Sequence, residues 1–123
     1  MHEWNNQAPT SLLMGRFQPW HAGHQALFEQ ALARTGQVLI VVRDTQGVDD
    51  KNPFDFEFVK NRIHEALKDQ FAGRYQIQLV PNITNFIYGR DVGYKIEQVH
   101  LGAELESISA TQVRAQMAAR GEL

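Results

Sequence analysis

The stretch Ser11-Leu12-Leu13-Met14-Gly15-Arg16-Phe17-Gln18-Pro19-Trp20-His21-Ala22-Gly23-His24 decides the fold. Ser11 to Met14 is a short apolar run, the mark of a buried strand. Gly15 and Pro19 punctuate a turn. Beyond it Leu27, Phe28, Ala31 and Leu32 recur at helical spacing until Gly36 closes the segment. The unit is therefore strand, polar turn, helix. In open α/β sheets ligands sit beyond the carboxyl ends of strands, against helix N-termini whose free N–H groups attract anions. This turn carries two histidines and one arginine to that position.

His21 and His24 straddle Gly23, whose lack of a side chain lets backbone or ligand come close. Imidazoles there can donate hydrogen bonds to phosphate oxygens, and Arg16 adds a planar fork that matches a phosphate bidentately. The plainer alternative is that His21 caps the helix, His24 lies on its first turn and Arg16 is solvated. A metal site built on the two histidines needs further ligands. His64, His100, Asp44, Asp49 and Asp50 are available, but nothing in their spacing indicates such a site, so no metal ligand is assigned.

Working outward, Val38-Leu39-Ile40-Val41-Val42 is a β-branched run of the kind buried on both faces of a parallel sheet, completing a βαβ unit. The loop after it, residues 43–52, carries Arg43 and the acids Asp44, Asp49 and Asp50. Of these Asp44 is the best candidate for water-mediated Mg²⁺ or a sugar hydroxyl. Asn52-Pro53 reads as a helix opening, with Phe54, Phe58, Ile63, Ala66 and Leu67 as the apolar face to about Asp69. Lys60 and Arg62 read as its wet side. Tyr75 to Val80 alternates as a third strand. Residues 86–88 and 96–101 are short apolar runs that read as two more. Trp20, Phe86, Tyr88 and Tyr94 are aromatic side chains that read as core, with base stacking as the alternative. The pattern predicts a single α/β domain, Rossmann-like and doubly wound, with a mainly parallel sheet of about five strands flanked by helices.

Near the other end, Ser109-x-x-Gln112 is a capping-box pattern opening a last helix. Thr111 in its first turn and Arg114 one turn on add donors around that N-terminus. Ile108-Ser109-Ala110-Thr111-Gln112-Val113-Arg114 together with His21-Ala22-Gly23-His24 resembles the paired signatures of the H-x-G-H nucleotidyltransferase superfamily. The flanking Gly15-Arg16-Phe17-Gln18-Pro19 is most similar to its nicotinamide mononucleotide adenylyltransferase branch. The resemblance implies an enzyme that moves a nucleotidyl group, AMP from ATP rather than CMP from CTP, to a small phosphorylated acceptor with release of pyrophosphate. It implies that His21 and His24 contact the phosphates, with His24 at the α-phosphorus, and that Arg16 and Arg114 hold the β- and γ-phosphates. It also implies that Gly15, Phe17, Gly23, Ile108, Ser109 and Thr111 line the nucleotide site, that Mg²⁺ travels with the triphosphate, and that the chain self-associates. Residues 11–123 would form the transferase domain and residues 1–10 a flexible leader. The roles of Asp44, Lys51, Lys60, Arg62 and Arg90 stay open. So do a non-catalytic nucleotide-binding or regulatory domain of the same fold and, more remotely, a metal-dependent hydrolase or a small interaction module.

Bulk properties set the bounds. At 123 residues the chain can bury about two-thirds of its unfolded surface. No cysteine is present, which removes disulfides and thiolate chemistry and accords with a reducing, cytoplasmic setting. A formal net charge of −2 offers no field for nucleic acid. No run approaches the roughly 20 apolar residues of a membrane span.

Overall fold

A computed structural model describes residues 2–45 and 47–123. Its framework is β1 (Ser11–Gly15), α1 (Ala22–Thr35), β2 (Val38–Arg43), α2 (Phe56–Phe71) and β3 (Tyr75–Val80), followed by the single turn α3 (Ala103–Glu106) and α4 (Ala110–Ala119). The three strands form one parallel sheet in the order β1-β2-β3. Ser11 stands opposite Val38, and Val38 opposite Tyr75, so all three carboxyl ends reach one edge. This is the α/β arrangement expected, a parallel sheet flanked by helices.

Register explains the sequence patterns. Leu13, Val38, Ile40 and Val42 share one face with the partly buried Tyr75 and Ile77. Against that face α1 lays Phe28 and α2 lays Val59, Ile63, Leu67 and Phe71, spaced by one helical turn each. Burial of such side chains is worth about 1.5–3 kcal/mol apiece. The opposite face is wetter: Leu12 is 55% exposed, and Gln76 and Gln78 supply the polar half of the β3 alternation. Central β2 is apolar on both faces because it alone has neighbours on both edges.

Three details of the sequence reading change. The second helix starts three residues later than Asn52-Pro53 suggests. Its cap is Asp55, whose side chain accepts from Phe58 N at 2.9 Å. Asn52 is drawn instead into a turn capped by Asp49, and Phe54 is held extended by Gln18, whose side-chain amide both donates to Phe54 O (2.9 Å) and accepts from Phe54 N (3.0 Å). The apolar face of that helix runs through 59, 63, 67 and 71. Phe58 is turned outward, stacked on Phe54 at 4.2 Å, and Ala66 is exposed.

The sheet has three strands among the described residues, rather than about five. Residues 86–88 and 96–101 find no neighbouring strand; apart from Arg34 Nε donating to Glu97 at 3.4 Å, the hydrogen bonds around them are local, such as Gly93 N to Asp91 and Leu101 N to Glu106. Phe86, Tyr88 and Tyr94, read as core, are 60%, 52% and 67% exposed, whereas Trp20 is buried as expected. The leader touches the domain at two places. Gln37, fully buried, donates to Asn5 O and Thr10 Oγ1, both at 2.7 Å. The carbonyl of His2 lies so close to Gly73 that any Cβ there would collide with it. Met1 lies outside the described residues. Among the described residues no helix is long and apolar enough to cross a membrane.

Candidate active site

The turn after β1 builds the site by folding aromatic rings under one another. Phe17 adopts a left-handed backbone (φ 51°), uncommon for a bulky residue, and its ring is buried beneath Gly15. A Cβ on Gly15 would stand 2.9 Å from that ring, so the glycine is required. Phe17 then meets Trp20 at 5.1 Å and the edge of His24 at 4.9 Å, and Trp20 lies 5.6 Å from His24. His24 thus rests on two buried aromatic rings.

Both imidazoles are fixed by the start of α1. His21 is its N-cap: Nδ1 accepts from Gly23 N at 3.1 Å. His24 completes a capping box, its Nδ1 accepting from His21 N at 3.1 Å. The rings stack with centroids 3.8 Å apart. A Cβ on Gly23 would press on the His21 ring at 3.0 Å and stand 3.5 Å from Leu105 O of α3. Because each Nδ1 accepts a backbone proton, each neutral ring carries its own proton on Nε2. Among the described residues neither Nε2 has a partner. The plainer reading of His21 as a cap is therefore met in full, and it leaves two N–H donors unspent.

The electrostatics keep those donors neutral. Burial lowers the His24 pKa to about 3, with His21 adding to the effect, and burial followed by the Arg62 charge lowers that of His21. The positive end of α1 acts in the same sense. Burial disfavours any charge, but the Arg62 guanidinium and the helix N-terminus, which oppose a proton here, favour a phosphate.

The second segment comes to the same place. Arg114 of α4 donates through Nη1 to the backbone carbonyl of Gln18 at 2.7 Å, across 96 residues, and through Nη2 to Thr111 Oγ1 at 3.3 Å. Ser109 caps α4 with Gln112 in the predicted box, its Oγ accepting from Gln112 N at 3.2 Å. Ile108 is half-buried just before it. Arg16 takes a different direction: it reaches Asn52 Oδ1 at 3.5 Å and lines a cavity at the strand ends.

Sequence reasoning missed Arg62. Read as part of a wet helix face, it is half-buried, donates through Nε to Trp20 O at 3.0 Å and raises the positive potential at His21. Its signal was weak because only the tertiary approach of α2 to the turn distinguishes it from Lys60. Arg43, to which the sequence assigned no partner, is half-buried and donates to Asn82 Oδ1 at 2.6 Å. Asp49 serves its own turn, accepting from the backbone of Lys51 and Asn52, which lowers its pKa. Among the described residues no three His, Asp or Glu side chains gather to hold a cation.

A family model described as cytidylyltransferase-like matches residues 12–116. Among solved structures, the chain is similar to a bifunctional NMN adenylyltransferase/ADP ribose pyrophosphatase from Francisella tularensis, crystallised as a complex with AMP and a manganese ion. The match has a TM-score of 0.49 and 28% identity, and it covers 60% of this chain but 22% of that one. No curated protein sequence matches it significantly.

Proposed function

Since this chain belongs to the cytidylyltransferase-like family, we propose that it is a nucleotidyltransferase moving AMP from ATP to a small phosphate-bearing acceptor. An acceptor oxygen attacks the α-phosphorus in line. A new P–O bond forms there, the bond to the bridging α,β-oxygen breaks, and its electron pair leaves with pyrophosphate. No protein nucleophile is required, and Ser109 is fully explained as a cap.

The observation that carries this reading is the bond from Arg114 to Gln18 O, which ties the second signature to the turn that leads into the paired imidazoles. In the proposed complex His24 Nε2–H donates to an α-phosphate oxygen and strengthens as charge builds in the pentavalent state. His21 donates to a neighbouring phosphate, and Arg114 holds the leaving group, whereas Arg16, turned towards Asn52, stays outside these contacts. Ser109 and Thr111, at the start of α4, sit against the same anion. Neutral N–H donors held by packing lose nothing to reorganisation at the moment of reaction, and anchoring both ends of the triphosphate aligns it for attack. The triphosphate is taken as its magnesium complex, which supplies charge neutralisation that these side chains do not. ATP is preferred to CTP on the likeness of Gly15 to Pro19 to the adenylyltransferase branch.

A second reading, a non-catalytic nucleotide-binding domain, is favoured by one feature: residues 81–102 are largely exposed and add no strand to the sheet beyond β3. One assay separates the two. Each nucleoside triphosphate is incubated with Mg²⁺ and a panel of phosphorylated acceptors, and pyrophosphate is measured. The expected outcome is release dependent on ATP, falling about 10²-fold or more in His24→Ala and in Arg114→Ala. ATP binding without pyrophosphate from any acceptor selects the second reading.

A further inference from the structure

The carboxyl ends of β1, β2 and β3 present polar side chains that the triphosphate contacts above do not use. Arg43 closes β2, and its bond to Asn82 just beyond β3 fixes the guanidinium. Arg16, just beyond β1, reaches Asn52. With Asp44 and Thr45 these residues line an open cavity of about 250 Å³. Every lining side chain is polar. Its lining carries two guanidiniums and one carboxylate, a balance that favours an anion, and a guanidinium fork suits a phosphate. Asn52, Asn82 and Thr45 add neutral donors and acceptors of the kind that recognise hydroxyls.

The cavity lacks what an aromatic ligand needs. Such sites are lined mainly by apolar and aromatic groups, and among the described residues none lines this one. The adjoining apolar recess, between Val42, Phe54, Phe56, Val59 and Leu79, holds about 50 Å³. An apolar cavity that accepts benzene measures about 150 Å³. A pyridinium ring would also bring a positive charge towards two guanidiniums. At the other extreme, the cavity is several times larger than a bare tetrahedral oxyanion.

We propose that this cavity is the acceptor subsite of the transfer reaction, on which reading it rests, and that it takes a small hydroxylated phosphate monoester without an aromatic ring. Arg43, held by Asn82, is its specificity-determining residue.

Titration calorimetry of the whole chain, without nucleotide, tests this with ribose 5-phosphate, nicotinamide mononucleotide and inorganic phosphate. Ribose 5-phosphate is expected to bind at least tenfold more tightly than either of the others. Arg43→Gln is expected to weaken that binding about tenfold while leaving ATP affinity unchanged. Should Arg43→Gln fail to fold, Asn82→Ala, which releases the guanidinium, is expected to weaken the same binding. Tighter binding of nicotinamide mononucleotide, equal binding of inorganic phosphate, or indifference to both substitutions overturns the proposal. Pyrophosphate release with nicotinamide mononucleotide but not with ribose 5-phosphate also overturns it while the transferase reading survives. Binding of ribose 5-phosphate with no pyrophosphate from any triphosphate overturns the acceptor role and the transfer together, and leaves the ligand class standing.

Discussion

At the scale of single residues, His24 performs two tasks with two nitrogens: Nδ1 completes a helix cap and Nε2 carries the donor. Its folded pKa of about 3 lies below the ordinary 6.5, so the unfolded chain binds more protons between those values. Stability attributable to this side chain is therefore complete above pH 6.5 and is lost as pH falls towards 3. The slope is at most about 1.4 kcal/mol per pH unit. Denaturant unfolding at pH 7 and pH 4.5 is expected to show the loss, and His24→Gln to flatten it. An unchanged midpoint in the wild-type chain would contradict the burial of this ring. His21 acts in the same direction. The histidines, Arg114 and the capping serine were legible because each stands in a local motif. Arg62 and Arg43 were not, since their partners, Trp20 O and Asn82, come from elsewhere in the chain.

At the scale of elements, α2 shows tertiary contacts overriding a local start signal. Asn52-Pro53 has the composition of a helix opening, yet Gln18 commits Phe54 to an extended backbone and Asp55 takes over as the cap. Asp55→Ala is accordingly expected to cost about 1 kcal/mol of stability in thermal or denaturant unfolding. A neutral outcome would mean that the helix starts elsewhere. Helix α1 and strands β1 to β3 were read nearly to the residue because their apolar periodicity and their glycine or proline punctuation agree. The runs at 86–88 and 96–101 misled because composition alone marks a strand, whereas a strand exists only where a neighbour accepts its hydrogen bonds.

At the scale of the whole molecule, order and exposure divide unevenly. The core lies on one face of the sheet, between β1 to β3 and helices α1 and α2, while Phe86, Ile87, Tyr88, Tyr94 and Ile96 stand more than half exposed. Ile87, 89% exposed, is thus expected to tolerate replacement: Ile87→Ser should change unfolding free energy by no more than about 0.5 kcal/mol. A loss of several kcal/mol would show that this side chain is covered in the folded protein. The clasp between Arg114 and Gln18 has a different vulnerability. Its acceptor is a peptide oxygen, so no exchange of the residue-18 side chain deletes the receiving atom. Random mutation can sever it only from the arginine end. Even lysine there offers a single point charge in place of a fork that spans both the peptide oxygen and the Thr111 hydroxyl.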